Sequence, residues 1–258
     1  MLSCSARTFL YLLRSPPHMK QSYTFLLWLL VALSLWEPLP LSAQVLDPAF
    51  LPTVLKVPYA GTLQGGVQRV VVQPDGKLLI AGGFDFANGM LAGKIQRLNT
   101  DGTSDAAFNQ GGFGANGFIG AMVLQADGKI VIAGGFTTYN NTPALTLARL
   151  NSNGTLDANF ASAILPAQLR QLTSLAIQPD GKILVGSSGN IGGGQSDLLA
   201  RFNTNGSLDT SFQANASGYF SDIAGNSYSV RSILVQADGK ILVGGSLSGQ
   251  NRCLIRLN

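Results

Sequence analysis

The sequence predicts an all-β protein, a β-propeller or propeller-like array of four antiparallel blades with three or four strands each. Three observations favour this fold class. A pentapeptide with the pattern Gln-Pro/Ala-Asp-Gly-Lys occurs four times, and two further short motifs recur in the same cyclic order. The segments between the motifs are β-branched and apolar, without the period of a helix. Antiparallel units repeating about every 50 residues are typical of propeller blades rather than of helical solenoids.

Residues 1–43 are predicted to be a secretory signal peptide. Lys20 precedes the apolar run Phe25–Trp36, the polar and proline-containing segment Glu37–Pro40 ends that run, and Ala43 supplies a small residue at a cleavage site. A membrane-spanning helix is the alternative, but an apolar run of about 12 residues covers only about 18 Å of a hydrocarbon core about 30 Å thick. We therefore expect an exported protein, at the cell surface, in the periplasm or outside the cell, with no stable membrane span after cleavage.

The rest of the chain, residues 44–258, is predicted to be a single four-repeat domain. If translation began at Met19 instead of Met1, the segment before the apolar run of the predicted signal peptide would have an ordinary length. Once residues 1–43 are removed, basic and acidic residues are nearly balanced, so we expect no nucleic-acid partner. Cys253 is the one remaining cysteine, which excludes an intramolecular disulfide. The same segment contains no histidine and no glutamate.

Three motifs define the repeat. The pentapeptide lies at Gln73–Lys77, Gln125–Lys129, Gln178–Lys182 and Gln236–Lys240. The motif Arg-Leu/Phe-Asn lies at Arg97–Asn99, Arg149–Asn151, Arg201–Asn203 and Arg256–Asn258. The motif Asp-x-x-Phe lies at Asp47–Phe50, Asp105–Phe108, Asp157–Phe160 and Asp209–Phe212.

The second copy shows how each unit is expected to fold. The apolar runs Phe118–Gln125 and Lys129–Gly135 flank an Asp-Gly turn, a combination that indicates a β-hairpin. Leu145–Asn151 supplies a third strand, and Asn153-Gly154 makes the next turn. A fourth strand is less evident, although Val54–Val57 or Ala163–Leu165 could provide one.

A double glycine follows the second strand at Gly82-Gly83, Gly134-Gly135 and Gly244-Gly245, with Gly186-Ser187 in the third copy. This feature resembles kelch blades, in which small residues allow another backbone to approach closely. Over residues 45–258 the three motifs together resemble the bacterial delta-60 repeat, a propeller-type repeat of exported proteins. The resemblance implies a propeller architecture and export of the protein. It implies no catalytic residue and no ligand. The sequence departs from that pattern at Ser104 and Ser187.

The two ends of the array complement each other. Asp47–Phe50 has no Arg-Leu-Asn strand before it, and no Asp-x-x-Phe follows Arg256–Asn258. Two interpretations remain open: the ends meet and close a ring, which removes exposed sheet edges, or the chain is a piece of a longer array.

The arginine of one motif recurs in step with the aspartate of another, which predicts structural ion pairs between them. The residues concerned are Arg97, Arg149, Arg201, Arg256, Asp47, Asp105, Asp157 and Asp209. Within Asn99–Asp105, and in the copies that begin at Asn151 and Asn203, alternate oxygen side chains around a glycine also suggest a calcium loop. Turns held by side-chain hydrogen bonds explain the same residues, so we favour no cofactor and keep calcium as the alternative.

The composition disfavours an enzyme. Without histidine there is no Ser-His-Asp, Cys-His or imidazole–metal site, and a carboxyl pair would need aspartates outside the motifs, which are Asp85, Asp197 and Asp222. Arg69, Arg170 and Arg231 could line a polar central channel, although isolated surface cations are commoner.

Loops that differ between the copies are the better candidates for binding, because a rigid scaffold leaves its loops free to vary. Their aromatic residues could stack on a sugar or a protein partner. The candidate ligand residues are Phe86, Tyr139, Tyr219, Phe220 and Tyr228. We thus expect an exported, non-catalytic scaffold that binds an unidentified protein or glycan. The alternatives are a propeller-bodied enzyme acting on polysaccharide and a calcium-stabilised adhesin module.

Overall fold

A computed structural model describes residues 47–56, 66–160, 172–188, 198–212, 229–247 and 252–258. The chain divides into two compact units, Met1–Asp47 and Pro48–Asn258. Asp47 is the one described residue of the first unit, so the predicted signal peptide lies outside the described residues. Within the part of the chain that the structure describes, no helix has the length and the apolar character that a membrane span requires.

Most of the second unit consists of short antiparallel strands. In chain order they are β1 (Leu55–Lys56), β2 (Val67–Val72), β3 (Leu78–Gly82), β4 (Phe86–Ala87), β5 (Met90–Leu91), β6 (Ile95–Leu98), β7 (Ile119–Leu124), β8 (Ile130–Gly134), β9 (Thr138–Tyr139), β10 (Thr142–Pro143), β11 (Leu147–Leu150), β12 (Leu172–Ile177), β13 (Ile183–Ser187), β14 (Leu199–Phe202), β15 (Ser229–Val235), β16 (Ile241–Leu247) and β17 (Arg252–Leu257).

Each repeat forms one three-stranded antiparallel sheet, as the motifs predict. The strand orders are β2-β3-β6, β7-β8-β11, β12-β13-β14 and β15-β16-β17, which we number blades 1 to 4. In every blade the strand after the pentapeptide is the central one. The possible fourth strand does not join a blade: β1 pairs with β4 in a separate small sheet, and residues 163–165 lie outside the described residues.

The pentapeptide makes the tight turn between the first two strands of each blade. In blade 2 the Gln125 N–H donates to the Lys129 carbonyl over 2.8 Å, and the Asp127 carboxylate accepts the Lys129 N–H over 3.1 Å. Gly128 has φ of 81°, a conformation that a residue with a Cβ adopts only under strain. The Asp and Gly of the motif are therefore turn residues.

All four first strands carry an irregularity at the same repeat position. The register shifts lie between Val67 and Arg69, Ile119 and Ala121, Leu172 and Ser174, and Val230 and Ser232. The residues opposite the first member of each pair are Gly82, Gly134, Ser187 and Gly245. These four residues occupy the same position in the four repeats. The double glycines that the sequence shows do not align with one another in this way, because two of them begin at this position and the pairs of the third and fourth copies end at it. A Cβ at Gly134 would lie 2.1 Å from the Phe118 carbonyl oxygen, so the backbone of blade 2 leaves no room for a side chain at this position.

Consecutive blades pack face to face through apolar side chains. The first strands β2, β7, β12 and β15 contact one another in chain order. Between blades 1 and 2, buried Leu79 and Ile95 share a core with Ile119 and Met122. Two further apolar cores lie between blades 2 and 3 and between blades 3 and 4. This sheet-on-sheet packing positions the loops and the charged residues described next.

Candidate functional site

The charged residues of the three motifs converge on one cluster in each repeat. In the second repeat, Arg149 Nε lies 2.8 Å from Asp157 Oδ2, and Lys129 Nζ lies 2.9 Å from the same oxygen. Asp157 is buried, and its other oxygen accepts the Asn159 N–H over 3.0 Å. The pentapeptide thus contributes its lysine to a pair that the sequence predicted as Arg149 and Asp157 alone.

The same arginine reaches the next repeat. Arg149 Nη1 donates to the Thr204 carbonyl over 2.7 Å, and the guanidinium carbon lies 4.7 Å from the centre of the Phe160 ring. We call the group Lys129, Arg149, Asp157 and Phe160 a repeat clasp, because it joins all three motifs of one repeat. The equivalent clasps are Lys77, Arg97, Asp105 and Phe108, and Lys182, Arg201, Asp209 and Phe212.

The clasp keeps its carboxylate ionised. Burial acts to raise the pKa of Asp157, but hydrogen bonds from Lys129, the Asn159 N–H and Arg149 outweigh it and lower the pKa to about 2. Asp105 behaves in the same way, with a pKa lowered to about 2 despite burial, by Lys77, the Ala107 N–H and Arg97. Hydrogen bonds from Ser211 and Lys182 hold the pKa of Asp209 well below its ordinary value. Carboxylates of this kind cannot serve as general acids near neutral pH.

The residues of the suggested calcium loop make turn contacts. The Asp101 carboxylate accepts both the N–H and the hydroxyl of Thr103, over 2.9 and 2.6 Å. The Asn99 amide nitrogen donates to the Thr103 hydroxyl, and Asp105 faces the two cations of its clasp. A divalent ion would have to displace those contacts. Among the described residues, no group of three or more His, Cys, Asp or Glu is placed to hold a metal ion.

Of the three aspartates considered for catalysis, the structure describes one, Asp85. Asp85 forms an ion pair with Lys94, in the loop that leads to β4. Asp197 and Asp222 lie outside the described residues. The four pentapeptide aspartates each accept the N–H of the lysine two residues later.

The loop aromatics differ in their surroundings. Tyr139, which we expected to be available to a ligand, is instead fully buried beside Phe136, and its hydroxyl donates to the Gly154 carbonyl over 2.7 Å. Burial raises the pKa of this phenol well above its ordinary value. Phe86 is half-buried in β4. Tyr219, Phe220 and Tyr228 lie outside the described residues.

The arginines considered for a central channel have distinct positions. Arg69 on β2 reaches past blade 2, and its Nη2 donates to the Thr173 carbonyl of blade 3 over 2.7 Å. Arg231 is exposed at the bulge of β15. Arg170 lies outside the described residues. Arg256, the fourth arginine of the clasp series, is exposed on β17, and Asp47 belongs to the other compact unit.

The family described as "Domain of unknown function (DUF5122) beta-propeller" matches residues 73–108, 125–160, 178–212 and 236–258. These segments begin at the four pentapeptides and cover half of the chain. The chain belongs to this family of β-propeller repeats. The first three of the matched segments end at the clasp phenylalanines Phe108, Phe160 and Phe212.

Several solved structures are similar at low sequence identity. The WD40 beta propeller domain of Doa1 is 16% identical with a TM-score of 0.44, and the match covers 74% of this chain and 50% of that one. Virginiamycin B lyase from Staphylococcus aureus is 12% identical with a TM-score of 0.40, covering 69% and 48%. A protein of unknown function from Bacteroides caccae is 14% identical with a TM-score of 0.39, covering 74% and 60%. This chain therefore spans less than two thirds of each. No curated protein matches the sequence.

Proposed function

We propose that the chain is an exported, non-catalytic β-propeller scaffold of the delta-60 type, which binds a protein or glycan at the cell surface or outside the cell. The observation that carries the proposal is the repeat clasp. It uses the buried carboxylates Asp105, Asp157 and Asp209 to join the motifs within each repeat and keeps them ionised. Because these three carboxylates are structural and stay ionised, they are unsuited to acid–base chemistry.

Export is supported by the N-terminal sequence. The order of Lys20, the apolar run Phe25–Trp36 and a proline-containing segment before Ala43 is that of a signal peptide.

Binding is assigned to the loops, because the strands and turns repeat while the loops differ. The connection after the second strand forms the small hairpins β4–β5 and β9–β10 in blades 1 and 2, with different side chains in each. The longest insertion, Gln213–Ser229, contains Tyr219, Phe220 and Tyr228. Aromatic rings on loops above a rigid scaffold suit a sugar ring or an extended peptide.

The experiment is a glycan and protein binding screen of the purified chain, with product analysis of every glycan retained. We expect retention without turnover, and weaker retention for Tyr219→Ala. Tyr139→Phe is the matched control, because this buried tyrosine should not affect binding. Release of a product, abolished by Asp222→Ala, would instead establish the polysaccharide-acting enzyme. A melting temperature that rises with added calcium would favour the adhesin module.

A further inference from the structure

The first strand of every blade carries one extra residue at its bulge. This residue is Gln68 in blade 1, Gly120 in blade 2, Thr173 in blade 3 and Arg231 in blade 4. Consecutive first strands contact each other, so the bulges lie at equivalent points along neighbouring strands. A bulge changes the direction of nearby side chains, and bulges are frequent beside binding sites for this reason.

Blade 1 places an arginine at its bulge where the other copies have small residues. Arg69 pairs with the central strand at the position that the other blades fill with Ala121, Ser174 and Ser232. Its side chain is half-buried. Nη1 donates to the Gln68 carbonyl over 2.8 Å, and Nη2 donates to the Thr173 carbonyl of blade 3 over 2.7 Å. The guanidinium is therefore held at the bulge of blade 3.

An aromatic ring of blade 2 reaches the same part of blade 3. A Cβ at Gly120 would lie 3.1 Å from Cε1 of Phe118 and 2.7 Å from the Leu172 carbonyl oxygen. The Phe118 ring thus lies beside the strand segment that Arg69 contacts, and it is 36% exposed. The residues at its repeat position in the other copies carry no ring: Gly66, Gln171 and Ser229.

A second arginine approaches this place from blade 4. The Thr173 hydroxyl donates to the Val230 carbonyl, so the bulges of blades 3 and 4 are in direct contact. Arg231 follows Val230 in the chain and is exposed, and its Nε lies 3.4 Å from the Ser229 hydroxyl oxygen. The bulge of blade 3 therefore has a cation on each side. We call the group Arg69, Phe118, Thr173 and Arg231 the bulge cluster.

The positive charge of the bulge cluster is not balanced in the way that the repeat clasps balance theirs. Each clasp arginine pairs with an aspartate, whereas neither Arg69 nor Arg231 forms an ion pair within the part of the chain that the structure describes. Arg69 spends two N–H groups on carbonyl oxygens, and a guanidinium has others. A carboxylate is the acceptor that best fits those groups, since it pairs with a guanidinium through parallel hydrogen bonds.

We propose that the bulge cluster binds an acidic glycan, an oligosaccharide that contains uronic acids. This inference rests on the proposed binding function and names the class of ligand. The apolar face of a sugar ring stacks on Phe118, its carboxylate accepts hydrogen bonds from Arg69, and Arg231 pairs with the carboxylate of a further sugar. The exposed amide of Gln68 can bond the sugar hydroxyls, which need both donors and acceptors.

The experiment is calorimetric titration of the full chain with oligogalacturonate and oligoglucuronate, each compared with its methyl ester. At least one acid should bind about tenfold more tightly than its ester, because the ester keeps the sugar and loses the charge. Arg69→Gln should abolish this preference, and Arg69→Lys should keep part of it. Phe118→Ala should weaken acid and ester alike, by about fivefold. Lys56→Ala is the control, because it removes an exposed cation from β1 and should leave the preference unchanged.

The ratio of acid to ester affinity separates binding from stability, because a loss of folded protein lowers both affinities together. Melting curves show which variants fold. Equal affinity for acid and ester would overturn the inference and leave a glycan-binding scaffold in place, as would an acid preference that survives Arg69→Gln. A chain that retains a protein and no uronic acid would also overturn it. Cleavage of the bound acid would instead contradict the proposed non-catalytic function, while a preference lost in Arg69→Gln would still support the site.

Discussion

Arg149 Nε lies 2.8 Å from Asp157 Oδ2 inside a cluster that Lys129 completes and that a buried phenylalanine ring covers. Three sequence motifs meet at this pair, and the same geometry recurs in two other repeats. The pair therefore predicts how the array responds to mutation and to acid.

Removing the carboxylate should be costly. Asp157→Ala leaves Arg149 and Lys129 without their shared acceptor, so we expect the free energy of unfolding to fall by about 3–5 kcal/mol, the usual cost of breaking a buried ion pair. Denaturant unfolding measures this change. Asp127→Ala is the control: this turn aspartate accepts a single N–H at the surface, and its loss should cost about 1 kcal/mol. Equal effects of the two substitutions would contradict a structural role for the clasp.

The arginine should not be replaceable by lysine. Arg149→Lys keeps the charge but loses the hydrogen bond to the Thr204 carbonyl and the stacking on Phe160, which together should cost about 1–2 kcal/mol. Arg231→Lys is the matched control. Arg231 is exposed, so its substitution should change stability by less than about 0.5 kcal/mol. Thermal melting of both variants checks the difference, and an Arg149→Lys protein as stable as the control would refute it.

Acid should unfold the array through the clasps. The pKa values of Asp105 and Asp157 are about 2 in the folded chain, below the ordinary 3.8, so folding favours the ionised form. Their contribution to stability is complete above about pH 4 and is lost as the pH falls from about 4 to about 2. The melting temperature should drop steeply in that interval. Asp157→Asn should make the drop shallower, and an identical pH profile for this variant would argue against the assignment.

The two glycines of one pair should behave differently. A Cβ at Gly134 would lie 2.1 Å from the Phe118 carbonyl oxygen, whereas nothing lies within 4 Å of a Cβ at Gly135. Gly134→Ala should therefore destabilise blade 2 by about 1–3 kcal/mol, because the backbone around Phe118 must move. Gly135→Ala should change the unfolding free energy by less than about 0.5 kcal/mol. Urea unfolding of the pair is the measurement, and similar midpoints for the two variants would show that the bulge can relax.

The buried tyrosine should matter for stability. Tyr139→Phe removes the hydrogen bond to the Gly154 carbonyl and leaves that acceptor unsatisfied in the core, at a cost of about 1 kcal/mol. Chemical denaturation detects a change of this size. The variant should keep the sheet signal in circular dichroism, because the ring still fills its site beside Phe136. A variant as stable as the wild type would show that the hydroxyl contributes nothing there.

Part of this molecule follows directly from its sequence. The turn at Asp127-Gly128, the three strands of each blade and the pairing of Arg149 with Asp157 follow from local chemistry and from strict repetition. The lysine of the pentapeptide was missed, although its recurrence in every copy was a usable signal. Tyr139 was expected at a binding loop because it stands in a variable segment, and the fold instead turns it into the core.

The sequence by itself determined the period, the hairpins and the family of repeat, because turns and strands depend on residues that are close along the chain. The tertiary structure decided which groups meet across repeats, such as Arg149 with the Thr204 carbonyl, and which glycine faces the bulge. It also showed that Arg69 of blade 1 meets the Thr173 carbonyl of blade 3. These outcomes depend on how each blade is oriented against the next, and that orientation arises only when apolar faces distant in sequence pack together.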